Sequence, residues 1–140
     1  MHSLHHLWMK TYLQMKRLVT AQAMPLGLSP GQPKILEFLA KYGEHEQKDI
    51  ASYCEIEPAT VGNILTRMEA AGLIVRRNRP NNRRSLYVSL TERGEEMARM
   101  VGEIFASAEA QITSALTEEE RETLFQLLTK CLQSEKGTCL

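Results

Sequence analysis

The chain has 140 residues, 43% of them apolar, which is one domain's worth of sequence with material for a core of its own. Its 17 basic and 17 acidic residues cancel to zero formal charge, which taken alone argues against a nucleic-acid partner. No apolar run is long enough for a membrane span, and the start, Met1-His2-Ser3-Leu4-His5-His6, lacks the basic and apolar regions of a signal peptide. With three cysteines, an odd number, and no Cys-x-x-Cys pair, a cytoplasmic protein without a disulfide frame is expected.

Leu4, Trp8, Tyr12, Met15 and Val19 recur at three- and four-residue spacing, which predicts a long amphipathic helix over 4–24, stopped by Pro25-Leu26-Gly27. Ser29-Pro30-Gly31-Gln32 reads as a capping box with proline at the first helical position. The helix it opens should bury Ile35, Leu36, Leu39 and Tyr42 and end at Gly43, and Glu44-His45-Glu46 is expected to be a short polar link. Ile50, Ala51 and Cys54 give a short helix, Glu55 and Ile56 a turn, and Pro58 starts a further helix at a position where its missing N–H costs nothing. That helix buries Val61, Leu65 and Met68, with Ile64 beside them, and projects Thr60, Asn63 and Arg67 from the other side until Gly72.

Beyond Gly72 the period changes. Leu73 to Arg79 and Ser85 to Leu90 read as two extended strands joined by the turn Pro80-Asn81-Asn82, a two-stranded wing. Between Arg67 and Arg93 there are seven arginines and two glutamates, and no acidic residue lies between Arg76 and Arg84. Such a density of like charge repels itself, so a polyanionic partner accounts for it, and a phosphate backbone meets this local field rather than the zero total. Thr91 caps a long helix carrying Met97, Val101, Ile104 and Ala108 on one stripe. Thr117-Glu118-Glu119-Glu120 is a second capping box, opening a last helix with Leu124, Leu127, Leu128, Cys131 and Leu132, after which 133–140 reads as a frayed tail.

The stretch from Gln47 to Arg93 is a winged helix-turn-helix pattern, and it resembles the MarR family of bacterial transcription regulators. The resemblance rests on the Ile50-Ala51 helix, the second helix ending in Gly72-Leu73-Ile74, the arginine-rich wing and Leu90-Thr91-Glu92-Arg93-Gly94. Leu28-Ser29-Pro30-Gly31-Gln32 and the chain length extend it over the whole sequence. It implies a mainly α fold with a small β wing, divided into an N-terminal dimerisation helix over 1–27, a DNA-binding domain over 28–91 and C-terminal dimerisation helices over 92–140. It also implies a homodimer that represses transcription by binding a pseudo-palindromic operator. Family wings carry Asp-x-Arg at the tip; here the residues are Asn82-Arg83-Arg84, so Arg84 matches while Asn82 cannot make the ion pair.

On this reading the DNA contacts are Thr60, Asn63, Arg67, Arg76, Arg79, Arg83 and Arg84. Asn63 suits a bidentate pair with adenine, Arg67 a phosphate or guanine, and the wing-tip arginines the minor groove. Pro58, Ala59 and Gly62 are small, so base contacts are few and apolar. The bland alternative, the solvated face of a core helix, loses only because the basic wing follows at the right spacing. Arg77 is expected on the opposite face from Arg76, paired with a glutamate of the neighbouring helix. Ser29 and Gln32 need only their capping role.

Trp8, Tyr12 and Tyr42 are candidates to line a cavity where family members bind small aromatic effectors; as interface aromatics they need no ligand. The family's oxidant sensors act through a thiolate, but Cys54 and Cys131 fall on apolar positions as core thiols and Cys139 lies in the tail. His2, His5 and His6 read as a surface cluster without a metal, and no cofactor is expected. Absence of a Ser/His/Asp set or a glycine-rich phosphate loop argues against an enzyme. The rivals that remain are a winged-helix module for an acidic protein partner, a ligand-binding helical dimer without DNA function, and an oxidant sensor of the same fold.

Overall fold

Six helices and three short strands follow one another in the computed structural model, which describes residues 1–136. The helices are α1 (Leu4–Ala23), α2 (Gln32–Tyr42), α3 (Gln47–Tyr53), α4 (Pro58–Ala70), α5 (Glu92–Ile112) and α6 (Glu118–Lys136). The strands are β1 (His45–Glu46), β2 (Ile74–Arg79) and β3 (Asn82–Leu90), antiparallel in the order β1-β3-β2. The wing is therefore three-stranded, because the expected polar link at 44–46 pairs with the inner edge of β3, His45 opposite Val88 and Glu46 opposite Tyr87. A two-residue strand carries no alternation, so its sequence could not announce it.

The Ser3 hydroxyl accepts the His6 N–H and starts α1, and a single tight turn over Met24–Leu26 ends it at Gly27, whose φ is 81°. The expected capping box before α2 does not form. Gly31, at φ 92°, is the cap residue instead, and the Ser29 backbone carbonyl accepts the Gln32 N–H at 3.1 Å. A side chain at Gly31 would be strained at this φ, and its Cβ would come within 2.7 Å of Ile64 Cδ1, so the end of the Ile64 side chain would also have to shift. Helix α2 buries Ile35, Leu36 and Leu39 as expected, but its fourth inward residue is Phe38, while Tyr42 stays 47% exposed and packs on Phe38 from outside.

The core gathers around α2, α4 and α5. Val61, Leu65 and Met68 of α4 are fully buried together with Ile50, Ile74, Val88 and Val101. Thr91 caps α5 by accepting the Gly94 N–H at 3.0 Å and donates its hydroxyl proton to the Gly72 carbonyl at 2.6 Å, which ties α5 to the end of α4. A Cβ at Gly94 would collide with the Leu73 carbonyl, so only glycine lets α5 leave the sheet here. Helix α5 ends at Ile112, and the second capping box forms reciprocally: Thr117 N–H to Glu120 at 2.9 Å and Glu120 N–H to Thr117 at 3.1 Å.

Helix α6 continues through Lys136 rather than fraying at Gln133; residues 137–140, with Cys139, lie outside the described residues. Leu124, Phe125, Leu127, Leu128 and Leu132 of α6 are exposed, as are Leu4, Leu7, Trp8, Met9 and Tyr12 of α1. Cys131 is exposed with its neighbours and is not a core thiol of this chain, because α6 projects away from the body that buries Cys54. No helix among the described residues is long and apolar enough to cross a membrane.

Candidate nucleic-acid interface

Helix α4 turns its apolar stripe inward, which leaves Thr60, Asn63 and Arg67 exposed together on one side. Pro58 pre-sets the first turn, and the preceding Glu57 supplies no side-chain cap, so the amino end of the helix is left open. Thr66 bonds back to the Gly62 carbonyl at 2.9 Å and thereby orients its oxygen toward the wing.

Alternation divides the wing arginines between two faces of the sheet. Ile74, Arg76 and Val88 face the core side. There the Arg76 guanidinium meets Glu69 at 3.3 Å and Thr66 at 3.1 Å, and the Arg76 backbone N–H donates to the other Glu69 oxygen at 3.2 Å. Arg76, one of the expected phosphate contacts, is bonded between β2 and α4 in this structure, with its side chain only 16% exposed. Arg77 lies on the opposite face as expected, but its glutamate is Glu44 of the linker at 3.8 Å rather than one of a helix. Arg79 also reaches Glu44, at 3.1 Å, and lies 4.0 Å over the Tyr87 ring.

The tip is built differently. Regular pairing runs from Ile74 opposite Leu90 to Asn78 opposite Leu86, then jumps so that Arg79 faces Asn82, and residues 83–85 are left as an excursion from the ladder. The Asn82 amide closes this excursion: its oxygen accepts the Arg84 backbone N–H at 3.2 Å and its nitrogen donates to the Ser85 hydroxyl at 3.2 Å. Asn82 thus holds the Arg84 backbone by neutral bonds where a carboxylate would hold the side chain. Among the described residues the guanidinium groups of Arg67, Arg83 and Arg84 have no carboxylate partner, so one charge remains available on α4 and two at the wing tip, where Arg84 lies near Gln47 and Lys48 at the start of α3.

A profile of the MarR family matches residues 28–86. The chain is 30% identical over 128 residues to the HTH-type transcriptional regulator FarR of Neisseria gonorrhoeae, an alignment spanning 88% of this chain and 87% of that one. This chain belongs to the MarR family. Its fold superimposes on MepR of S. aureus, solved in complex with DNA, with a TM-score of 0.84 at 26% identity, covering 96% of this chain and 99% of that one. It also matches Rv2887 of Mycobacterium tuberculosis in complex with salicylic acid, TM-score 0.75 at 24% identity, over 94% and 97% of the two chains. The protein is a DNA-binding transcriptional regulator and not an enzyme.

In this MarR protein the space between α1 and α4 is hollow. A cavity of about 270 Å³ is walled by Tyr12, Met15 and Val19 of α1, Phe105 of α5, and Thr60 and Ile64 of α4. Lys16 and Lys34 are its only charged lining residues. Of the three aromatic candidates only Tyr12 reaches it. Tyr42 packs with Phe38, Tyr53 and His45 at the far end of α2, and Trp8 is half exposed on α1. Neither lysine stands out in sequence, because a lysine on the polar side of an amphipathic helix is ordinary until the fold closes a cavity beneath it.

Cys54 is buried and desolvation pushes its thiol up to about 11, so at neutral pH it carries no thiolate. At the amino end His2 and His6 stack at 5.1 Å and His5 meets the Ser3 hydroxyl at 3.3 Å.

Proposed function

We propose that the protein is a homodimeric repressor that binds a pseudo-palindromic operator and is released by a small aromatic anion. The observation that carries the DNA reading is the pair Arg83 and Arg84 at the wing tip, left without carboxylate partners, in a chain whose α4 exposes Thr60, Asn63 and Arg67. In this reading α4 meets base edges in the major groove and the tip meets the flanking backbone and minor groove. Arg76 and Arg79, whose charges are paired within the protein, shape the wing.

The dimer is supported by the two apolar faces that the described chain leaves uncovered, on α1 and α6; a second copy related by a two-fold axis would cover both and set two reading heads one DNA turn apart. The effector is supported by the cavity, an apolar chamber with two lysines able to meet a carboxylate, and the salicylic acid bound to Rv2887 is of that chemistry. Since Thr60 and Ile64 belong both to the cavity wall and to α4, a ligand that fits better when α4 is displaced lowers DNA affinity by that difference in binding free energy.

The test is fluorescence anisotropy with a duplex from the intergenic segment upstream of the protein's own reading frame and a random duplex of equal length, across a salt series with and without salicylate. Tight, salt-steep binding of one dimer to the intergenic duplex, weakened by salicylate, is expected. Equal weak binding to both duplexes overturns the operator reading, and binding indifferent to salicylate overturns this choice of effector.

A further inference from the structure

A surface that meets DNA has reason to be free of carboxylates, since each repels the phosphates. Yet the wing is flanked by two, Glu44 and Glu46, one before and one within β1. Neither is idle. Glu46 lies opposite Tyr87 in the ladder and accepts its phenol proton at 2.8 Å, while its second oxygen lies 3.0 Å from Lys48. The Tyr87 ring in turn supports the Arg79 guanidinium at 4.0 Å, and Arg79 closes the circuit on Glu44 at 3.1 Å. Arg77, opposite Tyr87 on the other strand, leans on the same Glu44 at 3.8 Å.

The circuit therefore joins all three strands on the outer face, and it runs from the linker after α2 to Arg79, the last residue of β2 before the tip. Its carboxylates are largely shielded, with side chains 30% exposed at Glu44 and 16% at Glu46, whereas Arg77 and Arg79 are 68% and 56% exposed. A hairpin of two strands is only marginally ordered without such support, and five arginines on one hairpin push it apart.

We propose that Glu44, Glu46 and Tyr87 are positioning residues for DNA binding, forming a clamp through Arg79 that fixes the wing so that Arg83 and Arg84 reach the duplex together. This rests on the reading of the wing tip as a DNA contact. The clamp also divides the wing arginines into two sets, since those at its base are held by carboxylates and those at the tip keep their charge for phosphate.

The sign of one substitution decides the matter. If Glu44 were only a misplaced negative charge, Glu44→Gln would tighten DNA binding. With the clamp, Glu44→Gln weakens binding to the intergenic duplex by about tenfold although a repulsive charge has gone, and Tyr87→Phe, which changes no charge, weakens it in the same direction. Both effects vanish in an Arg83→Ala/Arg84→Ala background, because there is no longer a tip to place, whereas a general loss of stability would persist there. Trypsin cleavage after Arg83 and Arg84 in the free dimer should speed up in both variants without a change in melting temperature. Tighter binding by Glu44→Gln, or losses that persist in the tip-deleted background, overturn the clamp. If the wild type does not prefer or hold the duplex, the wing-tip reading falls, and the trypsin rate still decides the clamp: an unchanged rate overturns it.

Discussion

Arg76 and Arg84 are eight residues apart on the same hairpin, one bonded to Glu69 and Thr66 and the other without a carboxylate partner, and the opposite roles proposed for them are separated by two alanine substitutions. On the proposed reading Arg84, which lacks a carboxylate partner, meets one phosphate per protomer, so Arg84→Ala removes two contacts per dimer. The slope of log affinity against log salt should then become shallower by about 1.8. Between 50 and 200 mM salt this corresponds to a roughly twelvefold change in the ratio of wild-type to variant affinity, larger at low salt. The folded state is barely touched. Arg76 is 16% exposed and bonded to both Glu69 and Thr66, and its loss leaves a 42% exposed carboxylate that keeps the Arg76 backbone N–H. With the partial exposure of Glu69 discounting the pair, Arg76→Ala should cost about 1–2 kcal/mol. This would lower Tm by about 5 °C and leave the salt slope alone. Anisotropy titrations at four salt concentrations, with thermal melts at fixed protein concentration, measure both. An Arg76→Ala slope as shallow as that of Arg84→Ala, with an unchanged Tm, would refute the division of labour.

Gly94→Ala forces a Cβ against the Leu73 carbonyl, so chemical denaturation should report a loss of about 3 kcal/mol; a loss below about 0.5 kcal/mol would mean that α5 leaves the sheet by another route. With its thiol pushed up to about 11, Cys54 should alkylate at pH 8 roughly two-hundredfold more slowly than an ordinary thiol from thiolate fraction alone. The rate, read by peptide mass spectrometry, should rise tenfold per pH unit, and fast modification at pH 7 would contradict the buried site. Leu128→Asp places a charge in the exposed apolar side of α6, and light scattering should find a monomer with lost DNA affinity; a stable dimer would remove α6 from the interface.

Helical stripes with clear caps were legible residue by residue. Val61, Leu65 and Met68 are buried, Thr91 caps α5, and Thr117 and Glu120 form their reciprocal box, because spacing and local bonds are properties of contiguous sequence. Elsewhere local chemistry was outvoted. Ser29 has the residue types of a cap, but the chain turns at Gly31 with φ 92°, a conformation open to glycine, and α2 starts one residue later without a side-chain cap. Phe38 and Tyr42 lie one turn apart on the same side of α2; Phe38 is buried, whereas Tyr42, the last residue of the helix, lies at the rim of the core and packs on it from outside.

The order of residues along the chain is enough to settle the kind of molecule: helices at a 3.6-residue period, a wing at period two, and an excess of arginine only there. Which of those arginines are free is settled by folding. Arg76, Arg77, Arg79, Arg83 and Arg84 are one residue type on one hairpin, and their difference lies in Glu69 on α4 and Glu44 in the linker, seven or more residues away. Charge in a sequence is counted residue by residue, but the field that DNA meets depends on which charges the fold has already paired.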